Sequence, residues 1–323
     1  MTLDVFGLVS IDTLAFYDNN SYVGGGGLAT AWIASLWSLS TTLHSVSCNN
    51  KCIDIIENNT YSNKSFFTHI PMYIGNTMTT ISIQQYIKET EYQYIINNLV
   101  DAETSLKQFL KRDFENKYIK LPASKFRDYN NSYGIVSANP QGHFNLQQFV
   151  TDTNINGFVF LNYRELLNCS NMQFSDTLHY IERSEKSFVI TLGKFGAICY
   201  CCNEKNWWYC PSIVSINCRT ALGCGDAFAG GFLSAYIQQF SIDICLARGT
   251  VSAYYATKSP SNMVENWFIK KPVQAIERVN TKIRSFESAQ DILQYLHNNK
   301  EHFSICDGDL SFDESLSFQW KYK

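Results

Sequence analysis

Hydrophobic and polar positions alternate along the chain in a way that separates short strands from longer helices. Apolar runs of strand length occur at 5–9, 134–137, 158–161 and 188–192. Stretches with helical spacing lie between and after them, at 28–39, near 145, and at 175–182, 227–238, 242–256 and 289–297. This alternation predicts an α/β protein in which helices cover a mostly parallel sheet.

A short loop at 193–196, and not a helix, joins two apolar runs of strand length, at 188–192 and 197–202. Such a short connection predicts a hairpin at one end of the sheet. No internal repeat and no linker rich in Pro, Gly or Ser divides the sequence. We therefore expect a single domain that spans residues 1–323.

Composition and charge exclude several classes of partner. Of the 323 residues, 45% are hydrophobic and the formal net charge is −3, so the chain can build a large core and has no basic surface for nucleic acid. No uncharged apolar run approaches the roughly 20 residues of a membrane span. The N-terminal residues enter a strand directly and lack the basic segment of a secretion signal. We expect a cytoplasmic protein without a membrane or nucleic-acid partner.

The 11 cysteines are spaced irregularly, which favours reduced thiols over a disulfide framework. Cys199, Cys201, Cys202 and Cys210 resemble a zinc cluster at first sight. Two of them alternate along a predicted strand, however, and paired C-x-x-C knuckles are missing from the sequence. We therefore interpret these cysteines as reduced thiols and predict no zinc site there.

The most informative run is Gly223-Cys224-Gly225-Asp226, which an apolar helix follows at once. Two glycines around a small residue allow close approach to the backbone, and the acid comes where the helix begins. The first N–H groups of a helix lack intrahelical acceptors, and the helix dipole favours an anion at this end. A carboxylate beside an anion-binding loop is suited to phosphoryl transfer.

Four motifs in this order resemble the ribokinase-like (PfkB-type) carbohydrate and nucleoside kinases. The matches, which cover 5–49 and 133–259, are Asp12 with the glycine loop Gly24-Gly25-Gly26-Gly27, then Asn162-Tyr163-Arg164-Glu165 (N-x-x-E), then Thr191-Leu192-Gly193-Lys194-Phe195-Gly196 (T-x-G-x-x-G), and Gly223-Cys224-Gly225-Asp226 (G-A-G-D). Each motif alone is weak, with the last the most specific. The resemblance implies a three-layer α/β/α domain with a small β lid.

The resemblance also implies a role for each motif. Asp226 would be the general base that accepts a proton from the substrate hydroxyl, and the backbone N–H groups of Gly223, Cys224 and Gly225 would hold the transferred phosphoryl group. Asn162 and Glu165 would organise Mg²⁺ and its waters. The residues expected against ATP are Thr191, Gly193 and Gly196. Those expected to hold the sugar or nucleoside acceptor are Asp12, Gly24, Gly25 and Gly26.

Departures from the family pattern concern the substrate and a cation. Thr220 stands where the family has an Asp that helps to bind a monovalent cation, which argues against a potassium requirement, and the charge of Arg219 could replace the ion. Ala29 occupies the position of a sugar-binding Asn. The second glycine-acid signature of the family is missing from 48–59. We expect a divergent member whose acceptor is neither plain ribose nor fructose.

The polar region 51–131 is hardest to place. It contains a Thr/Ile alternation at 77–83 and a stretch at 91–109 that we predict to be helical. By resemblance, part of it would join about 13–23 to form the lid over the acceptor, and such lids can pair in a homodimer. The alternative is an ordinary hairpin with a polar surface insertion.

Other functions remain as alternatives. A dinucleotide-dependent oxidoreductase would also have a glycine loop between strand and helix, but 24–27 lacks the G-x-G-x-x-G spacing and lies too far beyond the strand. A non-catalytic binding protein would explain Ala29 and Thr220, yet it would not need Asp226. The cluster Trp207-Trp208-Tyr209 could stack on adenine, although aromatic clusters more commonly pack in the protein, which is our interpretation.

Overall fold

The fold was analysed in a computed structural model of the chain. It describes residues 1–14, 20–46, 49–72, 80–85, 92–97, 118–122, 135–139, 145–151, 156–214, 221–259, 272–299, 304–306 and 321–322. Arg219, Thr220 and the predicted helical residues 98–109 lie outside these ranges.

Strands and helices alternate through most of the described chain. The strands are β1 (Thr2–Leu8), β2 (Ser10–Leu14), β3 (Ser21–Gly24), β4 (Ser40–Val46), β5 (Phe67–Pro71), β6 (Thr80–Gln85), β7 (Tyr92–Asn97), β8 (Tyr118–Pro122), β9 (Ile135–Asn139), β10 (Phe158–Asn162), β11 (Ser187–Thr191), β12 (Ala197–Cys201), β13 (Asn206–Cys210), β14 (Ser212–Val214), β15 (Arg284–Phe286), β16 (Ser304–Cys306) and β17 (Lys321–Tyr322). The helices are α1 (Gly26–Leu36), α2 (Asn50–Thr60), α3 (Leu146–Thr151), α4 (Tyr163–Ser170), α5 (Phe174–Glu182), α6 (Cys224–Ile237), α7 (Ile242–Ala256), α8 (Pro272–Asn280) and α9 (Ala289–Asn298). Short 3₁₀ turns occupy Tyr61–Asn63 and Gly193–Phe195.

The central sheet has the order β15-β13-β12-β11-β10-β9-β8-β1-β4-β5. The strands from β11 to β5 are parallel, whereas β12, β13 and β15 continue the sheet with antiparallel pairing. The carboxyl ends of the parallel strands therefore share one edge, where α/β proteins bind their ligands. This confirms the predicted α/β fold with a mostly parallel sheet, and the antiparallel pairing of β11 and β12 confirms the hairpin at 193–196.

A second sheet of five strands has the order β17-β3-β2-β6-β7. Its strands β2 and β3 pair antiparallel directly before α1, with Ser10 opposite Gly24. One sequence prediction is wrong here: residues 92–97, predicted as part of a helix, form β7 and pair antiparallel with β6. The aromatic and β-branched residues of 92–97 suit a strand, and the pairing with β6 decides between two structures that the local pattern allows.

Hydrophobic residues fill the space on the two faces of the central sheet. On one face, α6 packs on β10 through Phe232, whose ring centroid lies 4.8 Å from Phe158 and 5.5 Å from Phe160. Helix α6 is apolar on nearly every side because α1, α7 and β10 surround it. On the opposite face Trp207 is fully buried, and its Nε1 donates to Glu182 at 3.2 Å. The aromatic cluster at 207–209 therefore belongs to β13, with Trp207 and Tyr209 packed in the core.

Three of the cysteines considered above also lie in the core. Cys199, Cys201 and Cys210 are buried as free cysteines, and burial raises the pKa of each of these thiols. Among the described residues, no group of three or more His, Cys, Asp or Glu side chains is arranged to hold a metal ion. None of the described helices has the length and the apolar character that crossing a bilayer requires.

Candidate active site

Helix α6 begins at the sheet edge with the loop that carries Asp226. Gly223 precedes the helix in a left-handed conformation with φ of 65°, and its carbonyl accepts the N–H of Ala227 at 2.9 Å. This conformation is available to Gly without the cost that a Cβ would impose. Cys224 N–H makes a long bond to the carbonyl of Ala221 at 3.4 Å, so of the predicted donors this one has an internal partner. Asp226 lies in the first helical turn and is partly accessible.

Gly225 is the most open position of this turn. It is exposed, and a Cβ built on it would meet no described atom within 4 Å. Packing therefore does not require glycine here. A ligand that approaches the backbone would require it, because a side chain would occupy the approach.

The glycine loop at the start of α1 lies directly against Asp226. A Cβ on Gly26 would stand 2.7 Å from Oδ1 and 2.9 Å from both Cγ and Oδ2 of Asp226. Gly25 precedes the helix with φ of 112°, and Gly27 packs on β1, where its Cβ would be 2.6 Å from the Cα of Gly7. The structure thus joins two motifs that are 200 residues apart in the sequence.

Asp12 lies in the second sheet beside the same loop. A Cβ on Gly24 would be 2.1 Å from Oδ2 of Asp12, and Ser10 Oγ donates to Oδ1 at 2.6 Å. Burial raises the pKa of the Asp12 carboxyl to about 6, although the bond from Ser10 opposes this shift. The environment therefore makes ionisation of Asp12 sensitive to pH near neutrality.

Asn162 and Glu165 begin α4 at the carboxyl end of β10. Asn162 Oδ1 accepts the N–H of Glu165 and Glu165 Oε2 accepts the N–H of Asn162, each at 2.8 Å, which forms a capping box. Burial raises the pKa of the Glu165 carboxyl to about 7; the Asn162 bond opposes the shift and the negative charge of Asp226 adds to it. Glu165 therefore serves as a helix cap and also lies within electrostatic reach of Asp226.

The T-x-G-x-x-G loop follows the neighbouring strand. Thr191 is the register partner of Asn162, and its Oγ1 donates to the Leu161 carbonyl at 3.5 Å. Gly193 has φ of 61° and open surroundings, since a Cβ added to it would meet no described atom within 4 Å. Gly196 differs: its Cβ would be 2.1 Å from the Cys210 carbonyl, so packing against β13 already explains that glycine.

Two side chains of this site were missed by sequence reasoning. Ser10 shares a strand face with Asp12, and the spacing of two residues in a strand was a signal that could have found it. Thr30 Oγ1 donates to the backbone carbonyl of Asp226 at 3.1 Å, a contact for which the local sequence contains no signal. Ala29, at the position of the family's Asn, is buried in the core and offers no polar group.

A known protein family matches the part of the chain that carries several of these site residues. Residues 136–266 match the family described as pfkB family carbohydrate kinase, and this range contains Asn162, Glu165, Thr191 and the loop that ends in Asp226. Over these residues the chain is similar to the pfkB family carbohydrate kinases. The chain is also 27% identical over 114 residues to a nucleoside kinase of Methanocaldococcus jannaschii, and the match spans 35% of the chain and 36% of that relative.

Solved structures extend the likeness to most of the described fold. The M. jannaschii nucleoside kinase structure aligns with a TM-score of 0.65 at 18% identity, over 86% of this chain and 99% of that one. A Burkholderia thailandensis nucleoside kinase in complex with inosine has a TM-score of 0.67 at 13% identity, over 86% and 96%. A Cryptococcus neoformans ribokinase in complex with ADP has a TM-score of 0.63 at 14% identity, over 84% and 99%. These similarities establish the ribokinase-like fold.

Proposed function

We propose that this protein is an ATP-dependent kinase that phosphorylates a hydroxyl group of a sugar, a sugar derivative or a nucleoside. The observation that carries the proposal is the close approach of the Asp226 carboxylate to Gly26. It unites the expected acceptor loop and the expected base in one site at the carboxyl edge of the sheet. A binding protein without turnover would not need a carboxylate at that point.

In this reaction Asp226 accepts the proton of the acceptor hydroxyl while that oxygen attacks the γ-phosphorus of ATP in line. The negative charge that spreads over the transferred phosphoryl oxygens meets the N-terminal end of α6, whose dipole and first-turn N–H groups stabilise it. Gly223 supplies the left-handed turn that begins this helix, and Gly225 leaves room for the phosphate. The bond between the γ-phosphorus and the oxygen that bridges it to the β-phosphate breaks, ADP leaves with that oxygen, and Asp226 returns its proton to solvent.

ATP is expected along the loop that follows β11, where Thr191 and the open backbone at Gly193 are accessible. Gly196 supports this loop from behind through its contact with β13. Asn162 pairs with Thr191 in the sheet, and Glu165, three residues further along, is within electrostatic reach of Asp226. We therefore expect the phosphates of the nucleotide to point toward α6.

The donor set also fits Mg²⁺. Glu165 is a desolvated carboxyl that experiences the negative charge of Asp226, and a cation would relieve this repulsion. Glu165 would hold the ion through water, with Asn162 nearby as an oxygen ligand. When bound, Mg²⁺ would neutralise phosphate charge. We predict no potassium requirement.

The acceptor is expected between Asp12 and Asp226. The Asp12 carboxylate lies against Gly24 and the Asp226 carboxylate against Gly26. The Cα atoms of these two glycines are at most roughly 7 Å apart, because only one residue separates them. A molecule with several hydroxyl groups can present one to each carboxylate. Nucleoside kinases are prominent among the relatives, one of them in complex with inosine, so nucleosides head the list of candidate acceptors.

The second sheet is expected to cover this acceptor, since β2 carries Asp12 and β3 ends at Gly24. A cover that excludes water would limit ATP hydrolysis. We also propose that residues 1–323 act as one domain, that the second sheets of two copies pair in a homodimer, and that the enzyme works in the cytoplasm.

A substrate panel tests the proposed function. The protein is incubated with ATP, Mg²⁺ and individual nucleosides, sugars and polyols, and ADP release is followed together with formation of the phosphorylated acceptor. We expect turnover that depends on the acceptor. Binding of nucleosides without any ADP release across the panel would favour the non-catalytic alternative.

Acceptor binding should weaken on acidification. The carboxyl of Asp12 has a pKa raised by burial to about 6, so it is mainly an anion at pH 7 and mainly neutral at pH 5. A neutral carboxyl loses its charge-assisted bonds to hydroxyl groups, and below pH 6 the affinity should fall about tenfold per pH unit. Calorimetric titration of the acceptor from pH 5 to 8, without ATP and Mg²⁺, measures this effect.

Asp12→Asn is the control for that titration, because it keeps the shape and removes the ionisation. We expect weak acceptor binding that is independent of pH in this variant. The same pH slope in Asp12→Asn as in the wild type would show that another group is responsible.

A further inference from the structure

Thr30 links α1 to the backbone of the expected catalytic base. Its side chain is fully buried, and Oγ1 donates to the carbonyl oxygen of Asp226 at 3.1 Å. A helical threonine commonly bonds a carbonyl of its own helix one turn earlier. Here the hydroxyl reaches a neighbouring helix, and it does so at the residue whose carboxylate faces the acceptor loop.

A second contact fixes the same crossing point of α1 and α6. A Cβ on Gly230 would be 2.5 Å from the Thr30 carbonyl and 3.0 Å from Cβ of Ile33, so the two backbones touch there. Gly230 lies about one turn after Asp226, and Thr30 about one turn after Gly26. The two helices therefore touch at two points one turn apart. At the first, Gly26 lies against the Asp226 carboxylate; at the second, Thr30 contacts the Asp226 carbonyl and Gly230.

We propose that Thr30 is a positioning residue, which holds the Asp226 backbone so that the carboxylate stays against Gly26 and points at the acceptor hydroxyl. This inference rests on the proposed function. An aspartate side chain has only two torsion angles, so the position of its backbone largely sets the position of its carboxylate. Because misplacement by about 1 Å can cost roughly 100-fold in rate, a bond that fixes this backbone affects turnover.

Packing alone does not require a hydroxyl at this position. The neighbours of Thr30 along α1, including Leu28, Ala31 and Ile33, belong to the apolar core. A buried hydroxyl is costly unless it is bonded, whereas a valine of similar shape would fill the space. The bond to the Asp226 carbonyl is one that the hydroxyl makes and that a valine could not make.

The other end of the same helix pair offers a matched control. Gln238 Nε2 donates to the backbone carbonyl of Trp37 at 3.1 Å, which is the same kind of bond, of the same length, between the segments that end α6 and α1. Gln238 also accepts a bond from Arg248 Nη1 at 3.1 Å. Gln238→Leu should therefore destabilise the fold at least as much as Thr30→Val, but far from the phosphate loop.

Steady-state kinetics and melting temperature test the proposal in Thr30→Val, Thr30→Ser and Gln238→Leu. We expect Thr30→Val to lower kcat at least about tenfold, with the KM for ATP within about twofold of the wild type. Thr30→Ser, which keeps the hydroxyl, should restore most of kcat. Gln238→Leu should lower the melting temperature but leave kcat within about twofold. A Thr30→Val enzyme with wild-type kcat, or a Gln238→Leu enzyme with an equal loss of kcat, would overturn the proposal.

A measurement independent of activity separates this inference from the proposed function. In amide NMR spectra, the resonances of Gly26 and Gly225 should move in Thr30→Val and stay near their wild-type positions in Thr30→Ser. Unchanged resonances in Thr30→Val would refute the positioning role even in an active enzyme. Shifted resonances in a protein without turnover on any acceptor would support the positioning role and count against the kinase function.

Discussion

Asp226→Asn should lower kcat by about 10²–10⁴-fold, the range that a general base contributes, while the affinity for ATP stays within a few-fold of the wild type. The amide keeps the size of the side chain in the first turn of α6 but cannot take the proton of the acceptor hydroxyl. Nucleotide contacts are expected mainly along the loop after β11, and this substitution leaves them intact. Initial rates with a saturating acceptor and direct titration of ATP measure the two effects separately.

Asp243→Asn is the matched control for this substitution. Asp243 also lies in the first turn of a helix, α7, and its carboxylate interacts with that helix dipole in the same way. Both variants should lose a similar stability of about 0.3–1 kcal/mol, but only Asp226→Asn should lose turnover. Near-normal turnover in Asp226→Asn would remove the general-base role and leave the glycine loops to be explained as a binding site.

Gly225→Ala should stabilise the protein and inactivate it. The glycine is helical and exposed, and the added methyl group would meet no described atom within 4 Å, so the folded structure accepts alanine. Loss of backbone freedom in the unfolded chain should then raise stability by about 0.4–1 kcal/mol. In the proposed complex the same methyl group occupies the path of the phosphate, and we expect kcat/KM for ATP to fall at least about 100-fold, as for loss of one oxyanion-type donor.

Thermal melting without ligand and kinetics with varied ATP measure the two sides of this prediction. Gly230→Ala provides the contrast within the same helix, because its Cβ would be 2.5 Å from the Thr30 carbonyl and should destabilise the fold. If both variants lose activity but only Gly230→Ala loses stability, the activity loss has two different causes: a blocked phosphate path in Gly225→Ala and a disturbed helix contact in Gly230→Ala. A stable Gly225→Ala enzyme with full activity would show that no phosphate approaches this turn.

Local sequence patterns predicted several parts of the site because the physics that produces them is local. The N-x-x-E motif at Asn162 and Glu165 is one of them, because its two residues are three apart and each side chain bonds the backbone of the other. Glycine at 223 and 193 stands where φ is positive, 65° and 61°, which few other residues adopt without strain. The helix that follows Asp226 was evident from its apolar residues.

Other predictions failed or were absent where the deciding contact comes from elsewhere in the chain. Residues 92–97 suit a strand or a helix by pattern, and pairing with β6 makes them a strand. The role of Gly196 at the ATP site stays a prediction, and its close contact with the Cys210 carbonyl is a separate, tertiary reason for glycine that the sequence did not indicate. Thr30 had no distinguishing neighbour in the sequence, since its partner is 196 residues away.

The amino-acid sequence by itself determined the alternation of strands and helices and the four glycine and acid motifs, because each of these depends on residues within a few positions of one another. Tertiary structure alone decided that Gly26 touches the Asp226 carboxylate, that Asp12 rests on Gly24, and that burial raises the pKa values of Asp12 and Glu165 to about 6 and about 7. Desolvation and contact are properties of the surroundings in space, and those surroundings exist only after distant segments have folded together.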